Sequence, residues 1–324
     1  MKIYLVMLMV PVMSITAQVQ NDSIKKKTQK AIMSSFSSTR FLDLQYEQFS
    51  ESDYDSDLYD KAFEKGTIKS QKRFKAAVNI PIIKKKKWVL SGSLRYKFES
   101  FEFENVQNFP TAVPAIYHSN NEDFHTFATG VNFTYFSTLF GKTFIYNASI
   151  IADGSDNGFE RVNGLLIGSL ILKRTESTTI TTGLLLQTNN TSISPILPVL
   201  SFEHQFRNSA WKIDLVLPKY IYFRRPLFDK GRLSLGTSFD GELFYTYPNQ
   251  DGLKEVYSYS RNEVKTGFVY EYQVNKRIIA TFRGGLSTIF SGQLRERGQT
   301  DEIIKTKQDR NGYFNVGISF NPFK

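Results

Sequence analysis

From Phe41 onward, apolar and polar residues alternate with period two. Successive side chains of a strand point to opposite faces, so this pattern predicts strands with one apolar and one polar face. Leu42, Leu44 and Tyr46 alternate with Asp43, Gln45 and Glu47. Phe74, Ala76, Val78, Ile80 and Ile82 stand against Lys75, Ala77 and Asn79. Leu90, Leu94, Tyr96 and Phe98 stand against Ser91, Arg95, Lys97 and Glu99. The last segment sets Phe314, Val316, Ile318 and Phe320 against Tyr313, Asn315, Gly317 and Ser319. No helical period persists beyond Ala31. The segments fall near 40–49, 69–83, 88–102, 124–139, 143–153, 162–173, 178–188, 196–206, 211–217, 219–228, 232–247, 255–274, 278–293 and 312–323.

The connections alternate between short and long. Lys84–Lys87, Gly141-Lys142, Arg174–Ser177, Arg207–Ala210, Asp229–Gly231 and Asn275–Arg277 are short. Ser50–Lys69, Phe103–Asp123, Asp153–Arg161, Asn189–Pro195, Pro248–Lys254 and Leu294–Asn311 are longer and read as loops. Short periplasmic turns and longer outer loops are the pattern of an outer-membrane barrel. Both termini on the periplasmic side require an even strand number. That condition is met by treating Pro218-Lys219 as a tight outer turn, because Pro cannot donate to a ladder. The expected fold is therefore all-β: a closed up-and-down antiparallel transmembrane β-barrel of about 14 strands, with 12 as the alternative.

Met1-Lys2, an apolar run to Ile15 and the small residue Ala17 form a secretory signal peptide over residues 1–17. Residues 18–39 are polar and Lys-rich, a flexible periplasmic lead-in to a barrel over residues 40–324. The expected location is the outer membrane of a Gram-negative cell, with cleavage near Ala17. The terminal run from Asn315 through Phe320 to Phe323 suits recognition by the barrel-assembly machinery. The chain also resembles a family of bacterial outer-membrane β-barrels known only as a domain of unknown function. The resemblance rests on Asn79-Ile80-Pro81-Ile82 with the following Lys turn, Ile196-Leu197-Pro198-Val199, and Leu215-Val216-Leu217-Pro218 with Arg224-Arg225. It implies a barrel and an outer-membrane location, and it supplies no activity.

Composition narrows the chemistry. The 324 residues contain no Cys and three His, which excludes disulfides, thiolate metal sites and a Cys nucleophile. Net charge is +10. The basic turn Lys84–Lys87 suits anionic lipid headgroups, and nothing in an exported barrel suits nucleic acid. No cofactor or metal is called for. Asp153-Gly154-Ser155-Asp156-Asn157-Gly158 opens like a calcium loop, but Gly164 stands where the closing acid belongs. His118 and Ser119 are adjacent and so cannot share a strand face for lipid hydrolysis. His125 and His204 offer no better pair.

Charge on a lipid-facing midplane costs roughly 2–4 kcal/mol per Arg or Lys, so charges in register mark the lumen. The candidate lumen residues are Asp43, Glu47, Lys75, Arg95, Lys97, Glu99, Lys212, Asp214, Asp240, Glu242, Arg261, Glu263, Lys265 and Arg283. They support a passive pore or transport channel for a small solute, with selectivity set by a mixed-charge lumen. The same charges could instead pair and fill the interior, leaving a non-conducting structural or ligand-binding barrel that works through its outer loops. A lipid-modifying enzyme is the third and weakest reading. Leu165–Leu172 and Leu184–Leu186 are apolar on both faces, which fits either a greasy stretch of lumen or contact with an inserted loop.

Overall fold

The computed structural model describes residues 40–188 and 194–322. The expected signal peptide and lead-in, most of the 189–195 loop and the last two residues lie outside the described residues. In chain order the strands are β1 (Leu42–Phe49), β2 (Ser52–Leu58), β3 (Lys61–Lys84), β4 (Trp88–Asn108), β5 (Asn121–Leu139), β6 (Lys142–Ser155), β7 (Gly158–Arg174) and β8 (Thr178–Gln187). They continue as β9 (Ile196–Gln205), β10 (Lys212–Leu217), β11 (Tyr220–Leu227), β12 (Gly231–Thr246), β13 (Tyr257–Gln273), β14 (Ile278–Glu296), β15 (Ile304–Gln308) and β16 (Asn311–Phe320). β1 and β2 both pair with β3, and β15 and β16 both pair with β14. Each of these couples is one strand with a short break. The sixteen segments therefore form 14 walls.

The barrel closes where β1 meets β16 and β2 meets β15, through pairs such as Glu47↔Asn315 and Asp55↔Lys307. Closure leaves no sheet edge in hydrocarbon, where each unpaired backbone group would cost several kcal/mol. The outward face carries the lipid band: Leu94, Val131, Ile150, Leu166, Leu184, Leu235, Phe282 and Ile318 are all exposed. The Pro218-Lys219 turn joins β10 to β11 on the side of the long loops, as the parity argument requires.

Three expected loops are largely strand instead; Asp153–Arg161 keeps only the turn Asp156-Asn157 between β6 and β7. Ser50–Lys69 reads as a loop in the sequence, but it forms β2 and the outer third of β3. Its acids, Asp53, Asp55 and Asp57, occupy one face of a period-two strand whose other face buries Tyr54, Ser56 and Leu58. Likewise Leu294–Asn311 contains β15, which pairs with β2 and β14. β4 also runs on to Asn108.

The wall is therefore lopsided. β8 and β9 have 10 residues each, β10 has 6 and β11 has 8, at or below the roughly 9–11 needed to cross a bilayer. β3 has 24 residues and β4 has 21, far more than crossing needs. The tall arc, β2–β5 with β12–β15, forms an outer lobe above the low rim of β8–β11. β12 pairs with β11 only over Gly231–Ser238, then leaves it and reaches across to β5 and β6. Phe244 stacks on Phe124 at 4.2 Å, Lys97 Nζ donates to the Leu243 carbonyl at 2.8 Å, and Tyr245 bonds Asp153.

A row of glycines marks the bend. Gly236, Gly267 and Gly285 are in register across β12, β13 and β14. A Cβ at any of them would lie about 2 Å from a neighbouring carbonyl oxygen. Above this row the lobe packs two apolar clusters. One contains Leu58, Phe63, Ala115, Tyr257, Leu294 and Ile304, and the other Tyr54, Ile68, Phe101 and Phe244.

Two substitutions test this reading of the wall. Leu184→Arg places a charge on the lipid face and should cost roughly 2–4 kcal/mol in denaturant unfolding from bilayers, whereas Thr181→Arg, on the inward face, should cost much less. Gly267→Val should loosen the lobe, seen as new protease cleavage in the loop 109–120 while the barrel remains heat-modifiable on gels.

Candidate functional site

β1, β3, β4, β12 and β13 aim their inward residues at one level, just below the lobe. Arg73 stands at the centre, fully buried. Its Nη1 reaches Glu47 at 2.8 Å, Glu263 at 3.2 Å and Glu242 at 3.4 Å, and its Nη2 reaches Glu99 at 2.9 Å. Arg261 holds Glu99 at 2.5 Å. Lys265 holds Glu47 at 2.9 Å and lies 3.6 Å from Asp240. Lys75 and Lys97 share Glu242 at 2.5 and 2.9 Å. Neutral partners complete the shell: Gln71 donates to Glu99, Ser287 to Glu263 and Asn315 to Glu47. Five cations thus meet five carboxylates. Phe49 lies flat under Arg73 and Phe101 under Arg261, at 4.9 and 5.6 Å. Unpaired, such charges would be untenable out of water; removing one member of a buried ion pair typically costs 3–5 kcal/mol.

Of the residues expected in the lumen, Glu47, Lys75, Lys97, Glu99, Asp240, Glu242, Arg261, Glu263 and Lys265 come together in this cluster. Arg95 shares their strand face but is exposed, and Asp43 and Arg283 lie below the cluster. Arg73, the hub, was missed. The alternation that exposes Lys75, Ala77 and Asn79 as one face extends back to Arg73 and Gln71, so the signal lay two residues upstream.

Beneath and beside the cluster is a cavity of about 1200 Å³. Its lining starts at the inner turns, with Arg174, Glu176, Arg207 and Ser209. It ends at the low rim, with Val216, Lys219, Tyr220 and Phe239. Between these ends lie Asp43, Lys212, Asp214, Arg224, Arg232, Asp240, Glu271 and Arg283. Several are paired along the walls: Arg232 with Glu271 at 2.5 Å, Arg224 with Asp214 at 3.2 Å and Lys212 with Glu203 at 2.9 Å. Arg40 also bonds Glu271. Asp240 belongs to both cavity and cluster.

The histidines hold structure. His118 Nε2 is 2.6 Å from Glu64 and 3.2 Å from the Tyr54 hydroxyl, which pins the 109–120 loop to the lobe. His125 bonds Tyr96 at 2.9 Å and His204 bonds Thr178 at 2.8 Å. Asp153, which opens the calcium-like stretch, accepts instead from Arg161, Asn163 and Tyr245.

Residues 14–321 match the family described as Domain of unknown function (DUF6268). The chain belongs to this family. No curated protein matches it. Among solved structures it is similar to a Pseudomonas aeruginosa FadL homologue, with 7% identity, 89% of this chain and 91% of that one covered, and a TM-score of 0.41. It is similar to an outer membrane channel from Pseudomonas putida F1, with 8% identity, 86% and 94% coverage and a TM-score of 0.38. It is also similar to the translocator domain of the autotransporter NalP from Neisseria meningitidis, with 8% identity, 92% and 95% coverage and a TM-score of 0.32. At this level the likeness is one of barrel outline.

Removing the hub should be severe. Arg73→Met leaves buried carboxylates facing one another and is expected to lose about 3–5 kcal/mol of unfolding free energy, read from denaturant titration of the refolded barrel. The loop anchor should respond to pH. Burial disfavours the charged His118 ring, but its bonds to Glu64 and the Ser119 carbonyl outweigh this and raise its pKa above the ordinary value. A raised folded pKa stabilises fully below the unfolded value of about 6.5 and is lost as pH climbs through the folded one. Protection of the 109–120 loop from protease should therefore fall with rising pH across that window, and His118→Gln should flatten the dependence.

Proposed function

We propose that this barrel is a passive transport channel of the outer membrane whose passage follows the low wall and bypasses the lobe. One observation carries the reading: a single charged cavity spans the low wall from the inner turns to the Lys219 rim. The axial route is filled by the ion cluster and then by the apolar clusters of the lobe. In this reading the expected lumen charges divide into two groups. Those bound to Arg73 and its neighbours act as a plug that holds the lobe in place. Asp43, Asp240 and Arg283, with Asp214 and Lys212, face the passage and set its selectivity. Outer-membrane lipids surround the barrel, and its C-terminal strand, which seals against β1, is the segment offered to the assembly machinery.

Single-channel recording of the refolded mature protein in a planar bilayer tests this. Discrete conductance steps are expected. Arg283→Gln should shift the reversal potential in a salt gradient toward cation preference, whereas Arg261→Gln should lower stability with little effect on ion preference. A folded, inserted and silent barrel would exclude the channel. Attention would then turn to the non-conducting reading, which the packed lobe and its outer loops favour.

A further inference from the structure

The glycine row that bends the wall also clears a shelf on its inner face. Tyr222, Gly236, Gly267 and Gly285 are in register across β11 to β14. Register partners share a face, and Tyr222 lines the cavity, so the three glycines face it too. Arg283 stands two residues before Gly285, on the same face and nearer the inner turns. No side chain stands on the glycine level between Tyr222 and β14. Tyr222 and Arg283 therefore face each other across the shelf: both line the cavity, and they interact electrostatically.

Among the described residues, neither the Arg283 guanidinium nor the Tyr222 hydroxyl has a hydrogen-bond or ion-pair partner, and the Arg283 Nε is buried. The carboxylates within electrostatic reach of Arg283 are Glu47, Asp240 and Glu271. Each is already held by other cations: Glu47 by Arg73 and Lys265, Asp240 by Lys265, and Glu271 by Arg40 and Arg232. Arg224 lies over Tyr222 at 5.2 Å and binds Asp214, yet its buried Nε–H also lacks an acceptor. A guanidinium fork beside a hydroxyl donor suits the oxygens of an oxyanion, and a cation left without a counter-charge favours one.

The surroundings have the same sign. Among the described residues, the cavity is lined by eight basic and six acidic side chains; with Asp240 bound into the ion cluster, three positive charges are left over. The inner turns, residues 84–87, 140–142, 173–177, 206–211, 228–230 and 274–277, each carry at least one exposed Lys or Arg. They hold eleven bases against two acids, Glu176 and Asp229. Arg174 and Arg207 of these turns line the inner mouth of the cavity. A mouth of one sign raises the local concentration of solutes of the other. Gln45, Asn79, Ser201, Gln205, Ser234 and Ser238 supply neutral hydrogen-bonding groups to the lining, which suits a hydroxyl-bearing body.

We infer that Arg283 and Tyr222 form an oxyanion site in the cavity, and that the solutes of the channel are small hydrophilic anions, a hydroxyl-bearing body with a carboxylate- or phosphate-like head, collected at the inner mouth. This rests on the channel reading and names its solute class.

The test uses the full mature chain in nanodiscs and saturation-transfer NMR of gluconate, sorbitol 6-phosphate and sorbitol. These share one six-carbon body and differ in a carboxylate, a phosphate or no charge. Saturable binding of at least one anion is expected, about tenfold or more tighter than sorbitol, and the tighter anion identifies the head. Arg283→Gln should weaken it about tenfold, and Tyr222→Phe, which keeps the ring, about threefold. Equal binding of the anions and sorbitol, or anion binding that survives both substitutions in a barrel still folded on gels, would overturn the site. Conductance on the same preparation separates the two readings. Anion binding without conductance leaves the site and removes the channel; conductance without anion binding leaves the channel and removes its solute class. For the inner mouth, Arg174→Gln combined with Arg207→Gln should slow the rate at which the anion blocks the KCl current about threefold and leave the dwell time of each block unchanged. An unchanged blocking rate would remove collection at the inner mouth.

Discussion

Ten charges gathered at one level of the barrel, most of them buried, are tolerable only because each has an opposite charge within ion-pair distance, and the upper architecture depends on that balance. Arg73 can satisfy four carboxylates only if β1, β4, β12 and β13 all converge on β3. A regular 14-stranded cylinder would hold β12 and β5 far apart. Here the tall arc leans inward along the row of Gly236, Gly267 and Gly285, and the carboxylates of β12 and β13 reach the cations of β3 and β4. Apolar packing above the cluster then seals the lobe. The low wall is left to itself, and the cavity sits there.

Ion pairs of this kind contribute little net stability compared with well-packed apolar groups of the same shape, but they are strict about position. Shifting β12 by one residue would turn Glu242 outward, taking from Lys97 its carboxylate and leaving Lys75 only the more distant Glu47. The cluster therefore specifies which strands converge more than it strengthens the barrel. The walls of the cavity follow a looser rule. Pairs such as Lys212 with Glu203 are partly exposed, and a solute can compete with them.

The barrel was legible in the sequence because its governing signals are local. Period-two alternation, turn residues and strand parity fix the fold class and the 14 walls, and even the Pro218-Lys219 split follows from one residue that cannot donate. The two faces were legible for the same reason: Glu47, Glu99 and Glu263 could be placed inside without coordinates. What failed was the reading of charge as loop. In β2, alternating Asp residues mask a strand whose inner face is Tyr54, Ser56 and Leu58. The convergence of β12 on β5 was not legible, since it joins residues more than a hundred positions apart through contacts that no periodicity records. The cavity depends on that convergence and was hidden with it.

The seam between first and last strands has a consequence for the order of events during assembly. β1, β3 and β4 contribute Arg73, Lys75 and Lys97 against Glu47 and Glu99, one cation in excess. β12 and β13 contribute Arg261 and Lys265 against Asp240, Glu242 and Glu263, one carboxylate in excess. Neither half is neutral alone, and neither can bury its charges until the other arrives. A partly zipped sheet thus keeps both halves hydrated and mutually attracted, while a mismatched closure leaves a carboxylate stranded. The arrangement acts as a proofreading step: the chain can become dry at its centre only when its beginning and its end have found the correct register.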